Sequence, residues 1–233
     1  MKYLDIATLS RFDSFLDNLD CGDVIIRGDL EAYSCKLDGI DKKLSRSLEE
    51  DVKESSSSLE MSKSPVGPLH EASSRQTLVY LILTLNHTYP DYDFSLLRAH
   101  HFSKESSLSD VEENVESRLV EVAKAWESTP GFGEESLFDC MWSTIDEVVT
   151  LKNCTVYSYK SDGESDPFGE KGSIWSFNYF FYNRKRKRIV YLSCRALSKT
   201  AVELSSVTDL ARYNTDDNEE DAVTSSMANE MDL

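Results

Sequence analysis

Two aromatic-rich apolar runs, IWSFNYFFYN at 174–183 and RIVYLSCRAL at 188–197, are separated only by the basic residues 184–187. In the first, Trp175, Phe177, Tyr179 and Phe181 alternate with Ser176 and Asn178. A period of two is that of a β-strand. Two such strands with so short a connection form an antiparallel hairpin. A third strand, CTVYSYK at 154–160, precedes them across the polar turn SDGESDPFGEKGS. The chain is thereby committed to an antiparallel sheet, and the alternation asks for helices covering one of its faces.

The rest of the chain supplies them. Leu9, Phe12, Phe15, Leu16 and Leu19 recur at helical spacing over about 8–19. Next, GDVIIRGDLEAYSCK returns to period two. Val24, Ile26, Leu30 and Ala32 fall on one face, while Arg27, Asp29 and Glu31 fall on the other, which reads as a wet face. TLVYLILTLN at 77–86 is apolar almost all round, as a central helix is. Ser73 with Gln76, and Ser109 with Glu112, stand at capping-box spacing. The second pair opens a helix to about 127 with Val111, Val115, Leu119, Val122 and Trp126 inward. After the breakers Pro130, Gly131 and Gly133, a third helix turns Leu137, Phe138, Met141, Ile145 and Val148 inward.

Two segments lack this order. Residues 41–72, rich in serine and charge with Ser55 to Ser58 consecutive, read as a disordered linker, because such a segment buries little apolar surface. From Glu203 onward acids dominate and Arg212 is the only base, so 203–233 reads as an acidic disordered tail. The predicted architecture is a single α+β domain, an antiparallel sheet packed against helices. Its first segment, 1–40, is a helix and strand. Its second, 73–202, is three helices and a β-meander. The first strand must join the later ones across the linker, so the two segments need each other.

Charge narrows the function. With 42 acids against 25 bases the formal net charge is −17. Nucleic-acid affinity comes mainly from Lys and Arg at phosphates, so direct nucleic-acid contact is not expected, whereas basic protein partners suit such a body. The apolar stretch 77–86 is about half of what crosses a bilayer, and the opening MKYLDIATLSRFDSFLD has no uninterrupted apolar run. A soluble intracellular monomer, without membrane contact, is the expectation. Cys21, Cys35, Cys140, Cys154 and Cys194 form no CxxC pair, so neither a metal nor another cofactor is expected. No GxSxG, P-loop, HExxH or Rossmann pattern occurs, which argues against an enzyme.

Several blocks carry a likeness. Tyr33-Ser34-Cys35-Lys36, PDYDFS at 90–95, SDPFGEKGSIWSFNYFFYN at 165–183 and RKRIVYLSCR at 186–195 resemble the signature blocks of the Maf-one family of RNA polymerase III repressors. The likeness covers nearly everything outside the linker and tail. It implies an A segment separated from paired B and C segments by a variable linker. It further implies a negative regulator that binds RNA polymerase III, or the TFIIIB initiation factor, blocks recruitment, and lowers tRNA synthesis. Nutrient-responsive kinases of TOR and protein kinase A signalling, with opposing phosphatases, would act on the linker and set shuttling between nucleus and cytoplasm. A phosphoregulated adaptor without polymerase specificity is the rival reading, and an unrecognised hydrolase using Cys154 or His101 the remoter one.

Candidate sites follow. Ser45 after Lys42-Lys43-Leu44 suits a basophilic kinase; Ser47 follows Arg46; Ser64 before Pro65 suits a proline-directed one. A plain solvated linker is the competing reading for each. Arg184, Lys185, Arg186, Lys187 and Arg188 form either a nuclear-import signal, a solvated hairpin tip, or a contact for the acidic tail. Asp91, Tyr92, Asp93 and Phe94 are a possible partner contact, although burial of the two rings, with the acids capping a neighbour, is the favoured reading. DPFGE is read as a structural turn.

Overall fold

Eleven backbone pairs join strand β3 (Val24–Ser34) antiparallel to β7 (Arg188–Ser198), from Val24 opposite Ser198 to Ser34 opposite Arg188. The computed structural model describes residues 1–55, 57–161 and 166–204. Of the expected tail, 205–233 lies outside them. Strand β6 (Ser173–Asn183) flanks β7 on its other side, followed outward by β5 (Thr155–Tyr159) and β4 (Phe102–Lys104). The short strands β1 (Lys2–Tyr3) and β2 (Leu19–Asp20) both pair with β3, giving the order β1-β3-β7-β6-β5-β4. The expected antiparallel α+β fold is therefore present, with the first segment closing onto the last strand.

Helices cover both faces. On one lie α1 (Ala7–Leu16), α5 (Leu108–Arg118), α6 (Val120–Ser128) and α7 (Leu137–Val149). They pack Phe12, Trp126, Met141 and Ile145 against Leu30, Phe181 and Leu192 of the sheet. Phe12 stacks on Trp126 at 5.2 Å between ring centroids. On the other face, α4 (Ala72–Thr88) packs Leu78, Leu81, Ile82 and Leu85 against Phe180, Tyr182 and Tyr191. The face of Arg27, Asp29 and Glu31 is accordingly not wet: all three are half-buried. Period two located the strand, but a carboxylate that finds a donor under a helix alternates like one in water.

The segment 41–72 corrects the expectation of a disordered linker. Residues Gly39–Ser55 form α2, and Ser58–Ser62 a short α3. Leu44, Leu48 and Val52 recur every four residues. Leu48 and Val52 are buried in the core cluster that holds α4, joined by Val66 and Leu69. One apolar residue per turn makes a stripe narrow enough to vanish in a charged sequence, yet sufficient to dock a helix.

Helix starts also differ from expectation. At α5 the cap is Ser107, whose hydroxyl accepts from the Asp110 amide, rather than Ser109. The cap of α4 is Glu71, without a side-chain hydrogen bond, rather than Ser73. The helix predicted over 109–127 breaks at Leu119 (φ −101°, ψ 18°) into α5 and α6.

A candidate interaction surface at the signature blocks

The four blocks that carry the resemblance meet in space. Tyr89, at the end of α4, donates its hydroxyl to Asp29 Oδ2 on β3 at 2.6 Å. Ser193 of β7 lies 2.7 Å from that hydroxyl and donates to the same carboxylate at 2.9 Å. Burial drives the Tyr89 phenol far above its ordinary range, and the neighbouring Tyr191 and Asp29 push the same way. It therefore stays a neutral donor. The Tyr89 ring meets Phe168 edge-to-face at 5.4 Å and Tyr191 at 6.3 Å.

Phe168 belongs to the turn Asp166–Pro167–Phe168–Gly169–Glu170. The Asp166 carboxylate builds it, accepting from the amides of Phe168 (2.9 Å) and Gly169 (3.2 Å) and from the hydroxyls of Ser161 (2.8 Å) and Tyr159 (2.5 Å). At its far end Glu170 accepts from the Tyr92 hydroxyl at 2.9 Å and pairs with Arg195 at 3.4 Å. Arg195 also donates to the Pro167 carbonyl. Tyr92 thus couples the PDYDFS block to the DPFGE turn and, through Arg195, to β7.

Within PDYDFS, Phe94 is buried against Tyr159, and its amide donates to Asn86 Oδ1 at 3.0 Å. Tyr92 is half-buried, while Asp91 and Asp93 are exposed. The Ser95 amide donates to Asp93 at 2.9 Å and holds its carboxyl below the usual range. Nearby Leu96 is 77% exposed. Asp91 and Asp93, with Leu96 just beyond the block, are thus exposed, while the two rings serve the fold.

The basic run occupies the β6–β7 turn. Arg186 donates to the carbonyls of Glu147 (3.0 Å) and Val148 (3.2 Å), and Arg188 to Val148 (3.3 Å), so both cap the C-terminus of α7, where cations oppose the helix dipole. Arg184 donates to Thr77 Oγ1 at 3.2 Å and the Ser73 carbonyl at 3.4 Å. Lys187 holds a left-handed φ of 53°, and its carbonyl accepts from the Cys35 amide. Lys185 is exposed at the tip.

Among the serines, Ser45 is only 5% exposed on α2, Ser47 is exposed, and Ser64 is half-buried, donating to the Gly67 carbonyl. Beside Ser45, Asp41 is buried. It pairs with the Met1 amino group and lies 3.1 Å from His87 Nε2. Neither that ion-pair cluster nor the Asp29–Tyr89–Ser193 triangle was foreseen. A lone Asp on a strand and a Tyr before Pro90 carry no sequence pattern that links them.

Cys154 donates to the Val149 and Thr150 carbonyls, and burial pushes its thiol up to about 12, which disfavours the nucleophilic thiolate. His101 Nδ1 accepts from the Arg98 amide at 2.9 Å. Among the described residues no group of three or more His, Cys, Asp or Glu side chains is placed to hold a metal. No described helix is long and apolar enough to cross a membrane.

The described residues form a sheet with both faces covered, whose recognisable blocks interlock through side chains and leave acids and one leucine exposed at the rim. Comparison with known proteins identifies the family. The family model described as Maf1 regulator matches residues 26–193, and the chain belongs to that family. It is 38% identical to the repressor of RNA polymerase III transcription maf1 of Schizosaccharomyces pombe, over 93% of this chain and 89% of that protein. With the repressor of RNA polymerase III transcription of Dictyostelium discoideum it shares 32% identity over 87% of each. The crystal structure of citrus MAF1 in space group P 31 2 1 superposes with a TM-score of 0.66 at 44% identity, covering 83% of this chain and 100% of that one.

Proposed function

We propose that this chain represses RNA polymerase III transcription by binding the polymerase, the TFIIIB initiation factor or both, and not by catalysis. The carrying observation is that proteins named as repressors of RNA polymerase III transcription match it over 87% or more of both lengths. Its physical character agrees. A body at −17 is poorly suited to promoter DNA and well suited to basic protein surfaces that face nucleic acid. Attraction acting over a Debye length of about 8 Å at physiological salt speeds the encounter, and affinity comes from a smaller buried apolar centre.

Kinases and phosphatases set the activity, and the protein moves between nucleus and cytoplasm accordingly. Ser47 and Ser64 are reachable in the folded chain. Ser45 is reachable only when α2 lifts from α4, so its modification and the release of that helix are one event. Purified chain added to an RNA polymerase III transcription reaction should lower tRNA and 5S rRNA synthesis, and polymerase should be retained on immobilised chain without DNA. Unchanged synthesis, together with no retained polymerase, would refute this reading.

A further inference from the structure

At the β4 margin of the sheet two concavities adjoin. One, of about 580 Å³, lies between the α3 segment and β4, with Leu59, Lys63, Ser64 and Pro65 on one wall and Ser103 and Lys104 on the other. The second, of about 360 Å³, has Lys104 in its lining again and runs past Tyr157 and Tyr182 to Arg184. Lys104 joins them into one groove. Its cations are Lys63, Lys104 and Arg184, and its one acid is Glu71. Among the described residues no carboxylate pairs with any of the three. Arg184 spends its hydrogen bonds on neutral oxygens. At the groove's mouth Leu59 is 72% exposed. In a chain with 42 acids, an unneutralised basic groove with an apolar lip is the local exception.

We propose that this groove binds the chain's own acidic segment 216–221, Asp-Asp-Asn-Glu-Glu-Asp, which is followed by Ala222 and Val223. Three arguments select this occupant. The first is charge: five carboxylates in six residues meet three cations, and the apolar pair that follows suits Leu59. The second is reach. The groove lies at the hairpin end of the sheet and Leu204 beyond the opposite end of β7, whose eleven residues span about 36 Å. The twelve residues from Leu204 to Asp216 extend to about 40 Å and those to Asp221 to nearly 60 Å, at about 3.3–3.6 Å each. The third is concentration. An acidic peptide arriving from outside is repelled by the whole chain, tail included, at −17, whereas the tethered segment is present at an effective concentration of order millimolar. Occupied in this way, the groove is closed to other acidic ligands and the acidic run is closed to basic ones. A phosphate on Ser64, in the same wall, would evict the segment, a consequence that rests on the linker modification proposed above.

Zero-length carboxyl–amine crosslinking of the full chain, followed by peptide mass spectrometry on the monomer fraction, tests this. Lys63 or Lys104 should crosslink to residues within 216–221. Raising salt from about 0.1 to about 1 M, which shortens the Debye length from about 10 to about 3 Å, should abolish the product. So should replacing the five acids with Asn and Gln, a change outside the folded body. Lys104→Glu should abolish it too, and reversing the five acids to Lys in that background should restore a salt-sensitive contact, read as protection of residue 104 from carboxyl labelling. Crosslinks confined to Lys185 or Lys187, crosslinks found only in dimers, or none to 216–221 would overturn the proposal. Repression assays read separately, so loss of repression with the crosslinks intact would count against the function alone.

Discussion

The Tyr89 hydroxyl and Asp29 Oδ2, sixty residues apart in sequence, stand 2.6 Å apart between the end of α4 and the middle of β3. Tyr89→Phe removes the donor and leaves the carboxylate with Ser193 beneath the helix. Losing one hydrogen bond to a carboxylate costs about 1.5–3 kcal/mol, and about 2–4 °C of melting temperature follows each kcal/mol in a chain this size. Thermal unfolding should show a drop of several degrees. An unchanged melting temperature would mean that water replaces the phenol.

Asp13 accepts from the Leu30 amide, but burial lifts its carboxyl to about 7 against an ordinary 3.8, with Glu31 and Asp29 adding to the rise. Between those values the folded chain binds the proton and the unfolded chain does not. Stability is therefore present at low pH and lost as pH rises from about 4 to about 7. Asp13→Asn keeps an acceptor and removes the titration. Melting curves from about pH 5 to about pH 8 should fall less steeply for the variant than for the parent; parallel slopes would contradict the assignment.

Removing residues 48–70 deletes Leu48, Val52, Val66 and Leu69 from the core. A disordered linker would be dispensable for folding; this segment is not. Leu48→Ala alone should cost about 2–5 kcal/mol, the range for a buried leucine. A denaturant midpoint within error of the parent would show that α2 does not dock in solution.

Ser45→Asp and Ser47→Asp place the same charge on opposite sides of α2. At 45 the new carboxylate is buried one turn from Asp41, so desolvation and like-charge repulsion both oppose docking. At 47 it points into water and should shift stability by about 0.5 kcal/mol or less. Amide exchange along 39–55 should accelerate for Ser45→Asp only. Equal exchange in the two variants would separate phosphorylation of Ser45 from helix release.

Much of the fold was legible because its strands and central helices carry strong periodicity. The pair 174–183 and 188–197 gave the hairpin, and 77–86 the buried helix. The second covered face was not legible, since Asp29 and Glu31 satisfy a polar pattern whether water or Tyr89 and Tyr33 receive them. Helix α2 escaped because four apolar residues in seventeen, one of them the exposed Ile40, do not stand out from serine and charge. The blocks 90–95 and 165–183 announced a family, but that Tyr92 links them through Glu170 is a fact of tertiary distance. No spacing along the chain encodes it.

The pairing of β3 with β7 also sets a timetable for synthesis. After β3 leaves the ribosome, more than 150 residues must be made before its long partner exists, and until then only the two-residue strands β1 and β2 border it. At about 5–20 residues per second the wait is roughly 8–30 s. Throughout it the longest strand of the first segment presents an open edge to any neighbouring nascent chain, so a chaperone that shields β3 should matter more during translation than after release.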